Sequence, residues 1–206
     1  MNIFIPFNMI IKAHRTKYKY LAIPILVILI NFALSLKNEA LYIPAISIIA
    51  FAFFLFIMYL FRFKRSFSQP DDDVIFAPMN GKIVQIKPLL EGHVLTIKKP
   101  FLASSEFVTC SKCDALGGVA TKDKAESLDI ELLETQTNVF WKVKCALAHI
   151  FINETIDHQA VLIGIVPGNA VCEVFLPQIY DLKVKEGSEV SAGFSELGNL
   201  KGKTFV

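Results

Sequence analysis

Two long apolar runs near the N-terminus constrain this chain more than any other feature. Residues 20–36 and 40–61 contain no charged side chain, and only Lys37-Asn38-Glu39 separates them. Runs of about 17–25 apolar residues can cross the hydrocarbon core of a bilayer. The short link predicts a transmembrane hairpin, in which Pro24 and Asn31 are tolerated if neighbouring groups satisfy the backbone. A cleaved signal peptide would have a shorter apolar core and no second run of this length.

Basic residues flank the predicted hairpin on its outer sides. Residues 1–70 carry eight Lys and Arg and one acid, whereas residues 71–206 carry 13 Lys and Arg and 18 Asp and Glu. Because Lys and Arg favour the cytoplasmic side, we expect both ends of the hairpin there, in a bacterial inner membrane. The acidic balance after residue 70 gives no basic patch, so nucleic acid is not an expected partner.

Composition divides the chain into four parts. Residues 1–19 form a basic segment that we expect at the membrane interface, and residues 20–61 form the two transmembrane helices. Residues 62–73 form a linker that ends in the polar run Gln69-Pro70-Asp71-Asp72-Asp73. Residues 74–206 are long enough for one globular domain with its own core.

Short runs rich in Val, Ile, Phe and Leu predict a mainly β structure for residues 74–206. The predicted strands are 74–77, 82–87, 94–98, 127–133, 138–145, 160–166, 170–176 and 182–185, and residues 145–152 fit a strand or a short helix. Turns are predicted at Asn80-Gly81, Glu91-Gly92, Gly117-Gly118, Pro167-Gly168 and Glu186-Gly187. The spacing V-x-x-G-x-x-V-x-x-G over residues 184–193 is typical of biotinyl- and lipoyl-type β-sandwich domains. Gly81 and Gly187 are expected at tight turns that need positive φ.

The four cysteines do not form the dense framework of a small secreted domain, and free thiols in a reducing compartment are the simpler interpretation. Cys110 and Cys113 have the C-x-x-C spacing of zinc or redox sites. A zinc ribbon needs a second such pair, whereas Cys145 and Cys172 are isolated. No metal site is therefore predicted.

An ordered series of motifs resembles the short form of phosphatidylserine decarboxylase. After two membrane helices, residues 61–65 (F-R-F-K-R) and 75–83 (I-F-A-P-M-N-G-K-I) are similar to the F-F-R-D and S-P-A-D-G-K-V motifs of that family. Residues 127–152 resemble its central strand pair, and residues 168–177 (G-N-A-V-C-E-V-F-L-P) are similar to G-S-R-V-D-L-Y-L-P. Residues 184–193 resemble V-K-V-G-D-K-V-K-A-G near the C-terminus of the family. The resemblance implies a biotinyl/lipoyl-like, decarboxylase-type β-sandwich and a phospholipid partner.

The family resemblance also implies a carboxy-lyase chemistry that depends on a self-made cofactor. The serine of the G-S pair attacks the preceding glycine carbonyl, the chain is cut, and the serine becomes a pyruvoyl group. That group forms a Schiff base with the substrate amine and accepts electrons as CO₂ leaves. An aspartate of the first motif and a mid-chain histidine assist proton transfer.

Each of these family positions is substituted in this chain. Asn169 follows Gly168 at the processing site, and an amide cannot form a pyruvoyl group, so no cofactor is predicted. Asn80 stands at the aspartate position, and Cys110 stands at the histidine position in the match over residues 105–119. We therefore expect a degenerate member, uncleaved, that binds phospholipid or regulates an active homologue or a second copy of itself.

Two alternatives remain open at this point. The chain could be an active decarboxylase that produces phosphatidylethanolamine after unusual processing, for which Gly187-Ser188 is the one Gly-Ser pair. It could also be a membrane adaptor built on a sandwich domain. Binding to vesicles with and without phosphatidylserine separates the adaptor from the first hypothesis.

Overall fold

A computed structural model describes residues 7–36, 42–63, 73–110, 116–122, 128–134, 139–150 and 162–201. Two helices precede a series of strands. These elements are α1 Phe7–Ser35, α2 Tyr42–Leu60, β1 Val74–Phe76, β2 Gly81–Leu89, β3 Gly92–Lys99, β4 Glu106–Val108, β5 Leu116–Lys122, β6 Leu128–Glu134, β7 Val139–Cys145, β8 His149–Ile150, β9 Leu162–Ile165, β10 Ala170–Pro177, β11 Tyr180–Leu182, β12 Glu189–Val190 and β13 Glu196–Leu200.

The helices α1 and α2 pack against each other. Among the described residues, one stretch, Ala13–Ser35 of α1, is long and apolar enough to cross a membrane, and the apolar part of α2, Pro44–Leu60, is shorter. α1 begins at Phe7 rather than at residue 20, because residues 7–20 contain neither Pro nor Gly to stop it. The basic residues of the predicted interfacial segment from Lys12 onward therefore lie on the helix itself.

The described strands form a mainly β domain and are arranged in three curled sheets. The largest sheet has the order β12-β2-β3-β10-β7-β6-β5, and two three-stranded sheets have the orders β1-β13-β11 and β4-β9-β8. Alternating residues of the large sheet point into the main core, as in β7 and β10, whose buried and exposed residues alternate. Trp141 is fully buried there and meets Phe107 edge-on, with 4.6 Å between the ring centroids.

Most predicted strands are confirmed, with shifted ends. The prediction of a turn at Gly117-Gly118 was wrong, because both glycines lie inside β5, which is at the edge of the large sheet. The ambiguous residues 145–152 contain the end of β7 and the short strand β8. The strand predicted at 182–185 ends at Leu182.

Gly81 and Gly187 are required for different reasons. Gly187 has a φ of 87°, as its predicted turn demands. Gly81 does not have positive φ. It opens β2, where an added Cβ would lie 2.6 Å from the backbone oxygen of Lys98 on β3. The glycine of the Asn80-Gly81 motif therefore allows close approach of two strands.

A second cluster of buried apolar residues joins the helices to the β4-β9-β8 sheet. It contains Ala13, Leu21, Ile57, Phe61, Val108, Leu162, Ile165 and Ala192. Polar contacts cross the same boundary: the Tyr20 hydroxyl lies 2.9 Å from Nε2 of His149. The backbone nitrogen and the hydroxyl of Ser105 both donate to the carbonyl oxygen of Arg62, each at 2.9 Å. One end of the β domain is thus fixed to the C-terminal end of α2.

Candidate functional site

A group of residues with polar contacts lies at this end of the β domain. We call Asn80, Lys99, Ser104, Glu106 and Gly168 the Lys99 cluster; Lys99, Glu106 and Gly168 are buried, and Asn80 and Ser104 are half-buried. Lys99 ends β3 and Glu106 begins β4, whereas Gly168 lies in the turn before β10. The pairing of Ala170 with Lys99 across β10 and β3 brings that turn beside the lysine. Sheet register, rather than proximity in sequence, assembles the cluster.

The Lys99 ammonium joins two loops. Its side chain is fully buried. Nζ donates to the carbonyl oxygen of Gly168 at 2.7 Å and to that of Ala103 at 3.1 Å. A charge-assisted hydrogen bond of this kind is stronger than one between neutral groups. The φ of 79° at Gly168 sets the direction of the chain at the first of these bonds.

Asn80 joins two further loops through its amide. Nδ2 donates to the hydroxyl oxygen of Ser104 at 3.1 Å and to its carbonyl oxygen at 3.4 Å. Oδ1 accepts from the backbone nitrogen of Ala192 at 3.1 Å. The Ser104 hydroxyl donates onward to Oε1 of Glu106 at 2.9 Å. An ionised aspartate at position 80 could not donate to either Ser104 oxygen, so an amide suits these contacts.

The electrostatics of the cluster centre on Lys99 and Glu106. Burial lowers the pKa of Lys99 to about 8. Glu106 acts against this lowering, Arg62 adds to it, and Cys145 acts against it. The Glu106 side chain is 1% exposed, and its Oε2 accepts no hydrogen bond from the part of the chain that the structure describes. Lys99 therefore gains and loses its proton near pH 8, and groups of perturbed pKa are common at functional sites.

The Lys99 pKa predicts a pH dependence of stability. Between pH 8 and pH 10.5 the unfolded chain retains a proton that folded Lys99 has lost, so the free energy of unfolding rises as the pH rises. Burial raises the pKa of the Cys172 thiol above its ordinary value of 9.0, so this thiol offsets the rise above that pH. Denaturant unfolding of the full chain in micelles should therefore show stability rising from pH 8 to pH 9.

A Lys99→Met variant should lose this rise, whereas Lys98→Met, which changes the exposed neighbour, should keep it. An equal slope in both variants would contradict the assignment of the rise to Lys99.

The structure brings together some of the predicted site residues and separates others. Asn80 and Gly168 belong to the Lys99 cluster, and Asn169 follows with an exposed side chain. Cys110 is fully buried among apolar residues of the main core. Cys113 lies outside the described residues.

The described cysteines Cys110, Cys145 and Cys172 are buried and take part in no disulfide. Among the described residues, no group of three or more His, Cys, Asp or Glu side chains could hold a metal ion.

Sequence reasoning missed Lys99, Ser104 and Glu106. One signal was present for Lys99. The alternation along β3 places it on the same face as Leu95 and Ile97, both fully buried. A lysine in register with a buried apolar face must find partners inside the protein, because burying an unpaired charge is costly. Three-residue β4 is too short to show such a pattern for Glu106.

No protein-family model, curated protein or solved structure matches this chain.

Proposed function

We propose that this chain is a membrane-anchored, phosphatidylserine decarboxylase-like protein that stays uncleaved, has lost decarboxylation and binds or regulates phospholipid. One observation carries the proposal. Asn80 and Gly168, which the family resemblance assigns to two distant motifs, meet at one loop: Asn80 donates to Ser104, and Lys99 donates both to Gly168 and to the neighbouring Ala103. Motifs that shared a reaction in an ancestor should remain neighbours in space.

The proposed location rests on the helices. Both have strongly apolar outer surfaces, with exposed side chains that include Ile23, Leu26, Leu29, Phe32, Ile48, Ile49, Phe51 and Phe53. Such surfaces are unfavourable in water and favourable in lipid. We propose that α1 and α2 both span the bilayer as a hairpin and that the β domain lies on the cytoplasmic side, according to the distribution of Lys and Arg.

The chemistry of the substituted positions supports loss of reaction. The side chain of Asn169 has no hydroxyl to attack the Gly168 carbonyl, and the oxygen of that carbonyl is held by Lys99. Asn80 uses both ends of its amide in contacts that join the loops of Ser104 and Ala192. The proposed role is therefore retention of a phospholipid, or partnership with an active homologue or a second copy, without chain cleavage.

The intact mass of the purified full chain tests this proposal. We expect one unbroken polypeptide of 23.1 kDa that gains no mass from a hydrazine reagent, because it carries no pyruvoyl ketone. Cleavage between Gly168 and Asn169, or between Gly187 and Ser188, with a carbonyl-reactive new terminus would contradict the proposal. That outcome would favour an active decarboxylase. Ser188 stabilises a turn in the structure, since its Oγ accepts a hydrogen bond from the backbone nitrogen of Lys185 at 3.2 Å.

A further inference from the structure

The loop between β3 and β4, residues 100–104, is held rigidly from its inner side; we call it the Phe101 loop. Polar groups from three parts of the chain bind its carbonyl oxygens. Arg62 Nη2 donates to Leu102 at 2.8 Å, and Lys99 Nζ donates to Ala103 at 3.1 Å. Asn80 Nδ2 donates to Ser104 at 3.4 Å, and within the loop the Ala103 nitrogen donates to the Pro100 oxygen at 3.1 Å.

The outer side of the Phe101 loop is apolar. Phe101 is 42% exposed and Leu102 is 53% exposed, although the carbonyl oxygens of Leu102 and Ala103 beneath them accept hydrogen bonds. The ring of Phe101 also covers Gly168, where an added Cβ would lie 3.4 Å from a ring carbon. The loop thus separates the Lys99 cluster from whatever surrounds Phe101 and Leu102.

The position of Phe101 along α2 indicates what those surroundings are. Its ring stacks on Phe56 of α2, with 6.1 Å between centroids and 20° between planes. Phe56 precedes Leu60, the last residue of α2, by four residues, which is about 6 Å along a helix axis. Phe101 therefore lies about one turn inside the end of an apolar helix. If α2 is in the bilayer, Phe101 is at the depth of the hydrocarbon boundary, where aromatic rings are enriched.

We propose that the Phe101 loop inserts into the leaflet that faces the β domain and closes the Lys99 cluster on its lipid side. The occupant of this apolar surface is the bilayer, since the loop continues the apolar surface of α2. The inference rests on the membrane anchorage in the proposed function, but it requires neither the family resemblance nor loss of catalysis.

Tryptophan fluorescence in vesicles can test the insertion in the full chain. The native Trp141 is fully buried in the β domain, so the wild type supplies its constant emission as a blank. The probes are Phe101→Trp in the loop, Phe53→Trp midway along α2, and Leu90→Trp. Leu90 is 97% exposed at the turn between β2 and β3, at the opposite end of β3 from Lys99, and is a matched exposed apolar control.

Each variant is reconstituted in phosphatidylcholine vesicles that carry bromine either high or low on the acyl chains. We expect Phe101→Trp to emit at shorter wavelength than Leu90→Trp and to be quenched most by the high bromine. Phe53→Trp should be quenched most by the low bromine, and Leu90→Trp by neither. Quenching of Phe53→Trp with none for Phe101→Trp would overturn the insertion while leaving the anchorage intact. Equal quenching at positions 101 and 90 would overturn it as well, and no quenching at position 53 would overturn both.

Discussion

Replacing Lys99 with Met is expected to lower the free energy of unfolding at pH 9 by about 1–3 kcal/mol, the usual cost of leaving a buried acceptor without its donor. At that pH the folded Lys99 amine is mostly neutral and still donates, because its pKa is about 8. The methionine retains the length and apolar stem of lysine, so the loss reflects the hydrogen bonds of the nitrogen. The carbonyl oxygens of Gly168 and Ala103 would lose their donor.

The measurement is denaturant unfolding of the full chain in micelles, followed by Trp141 emission. Lys98→Met, at the exposed adjacent position, should change stability by about 0.5 kcal/mol or less. The loss should be smaller at pH 7 than at pH 9, because the lowered pKa of Lys99 means that the folded chain disfavours its ammonium. If Lys99→Met were as stable as Lys98→Met at pH 9, the hydrogen bonds from Lys99 would not contribute to stability.

The Lys99 cluster shows why the fold could be predicted further than the site. Strand positions follow from local alternation, and most of those predicted are present. The meeting of Lys99 with Gly168 depends on the register of β3 with β10, a pairing across about 70 residues that no local pattern reveals. Family resemblance pointed to Asn80 and Gly168 but gave no place to Lys99, because it compares motifs and not the contacts between them.

At Asn80 and Cys110 the structure shows roles that the sequence did not predict. Asn80 was predicted as a turn residue or a lost acid, and its hydrogen bonds give it a third role, as a link between two loops. Cys110 was placed at a catalytic position by a match over residues 105–119, and its thiol lies in the apolar core. Since burial depends on how β1, β4 and the large sheet pack together, the spacing of cysteines alone could not distinguish a core thiol from a reactive one.

Replacing Gly81 with Ala is the second change with a large expected effect. The Asn80-Gly81 motif predicts a glycine with positive φ. In the structure, Gly81 is required because there is no room for a side chain at this position. An added Cβ would lie 2.6 Å from the Lys98 carbonyl oxygen and 3.0 Å from Cγ2 of Ile97. The oxygen belongs to the backbone of the paired strand β3 and cannot rotate away. Such overpacking costs about 1–3 kcal/mol or more, and we expect the upper end because Ile97 is fully buried.

Gly187→Ala is the matched control, because it tests the opposite cause. Gly187 has positive φ but open space, with Lys82 Cε 4.0 Å from an added Cβ. A left-handed alanine costs about 1–2 kcal/mol, so Gly187→Ala should be the milder change in denaturant unfolding. Gly81→Ala should also displace Asn80 and speed hydrogen exchange at the Ala192 amide, which donates to Asn80 Oδ1. If Gly187→Ala were the more destabilising, or if exchange at Ala192 were unchanged in Gly81→Ala, close strand approach would not be what fixes Asn80. The hydrogen bonds of Asn80 with Ser104 and Ala192 would then need another cause.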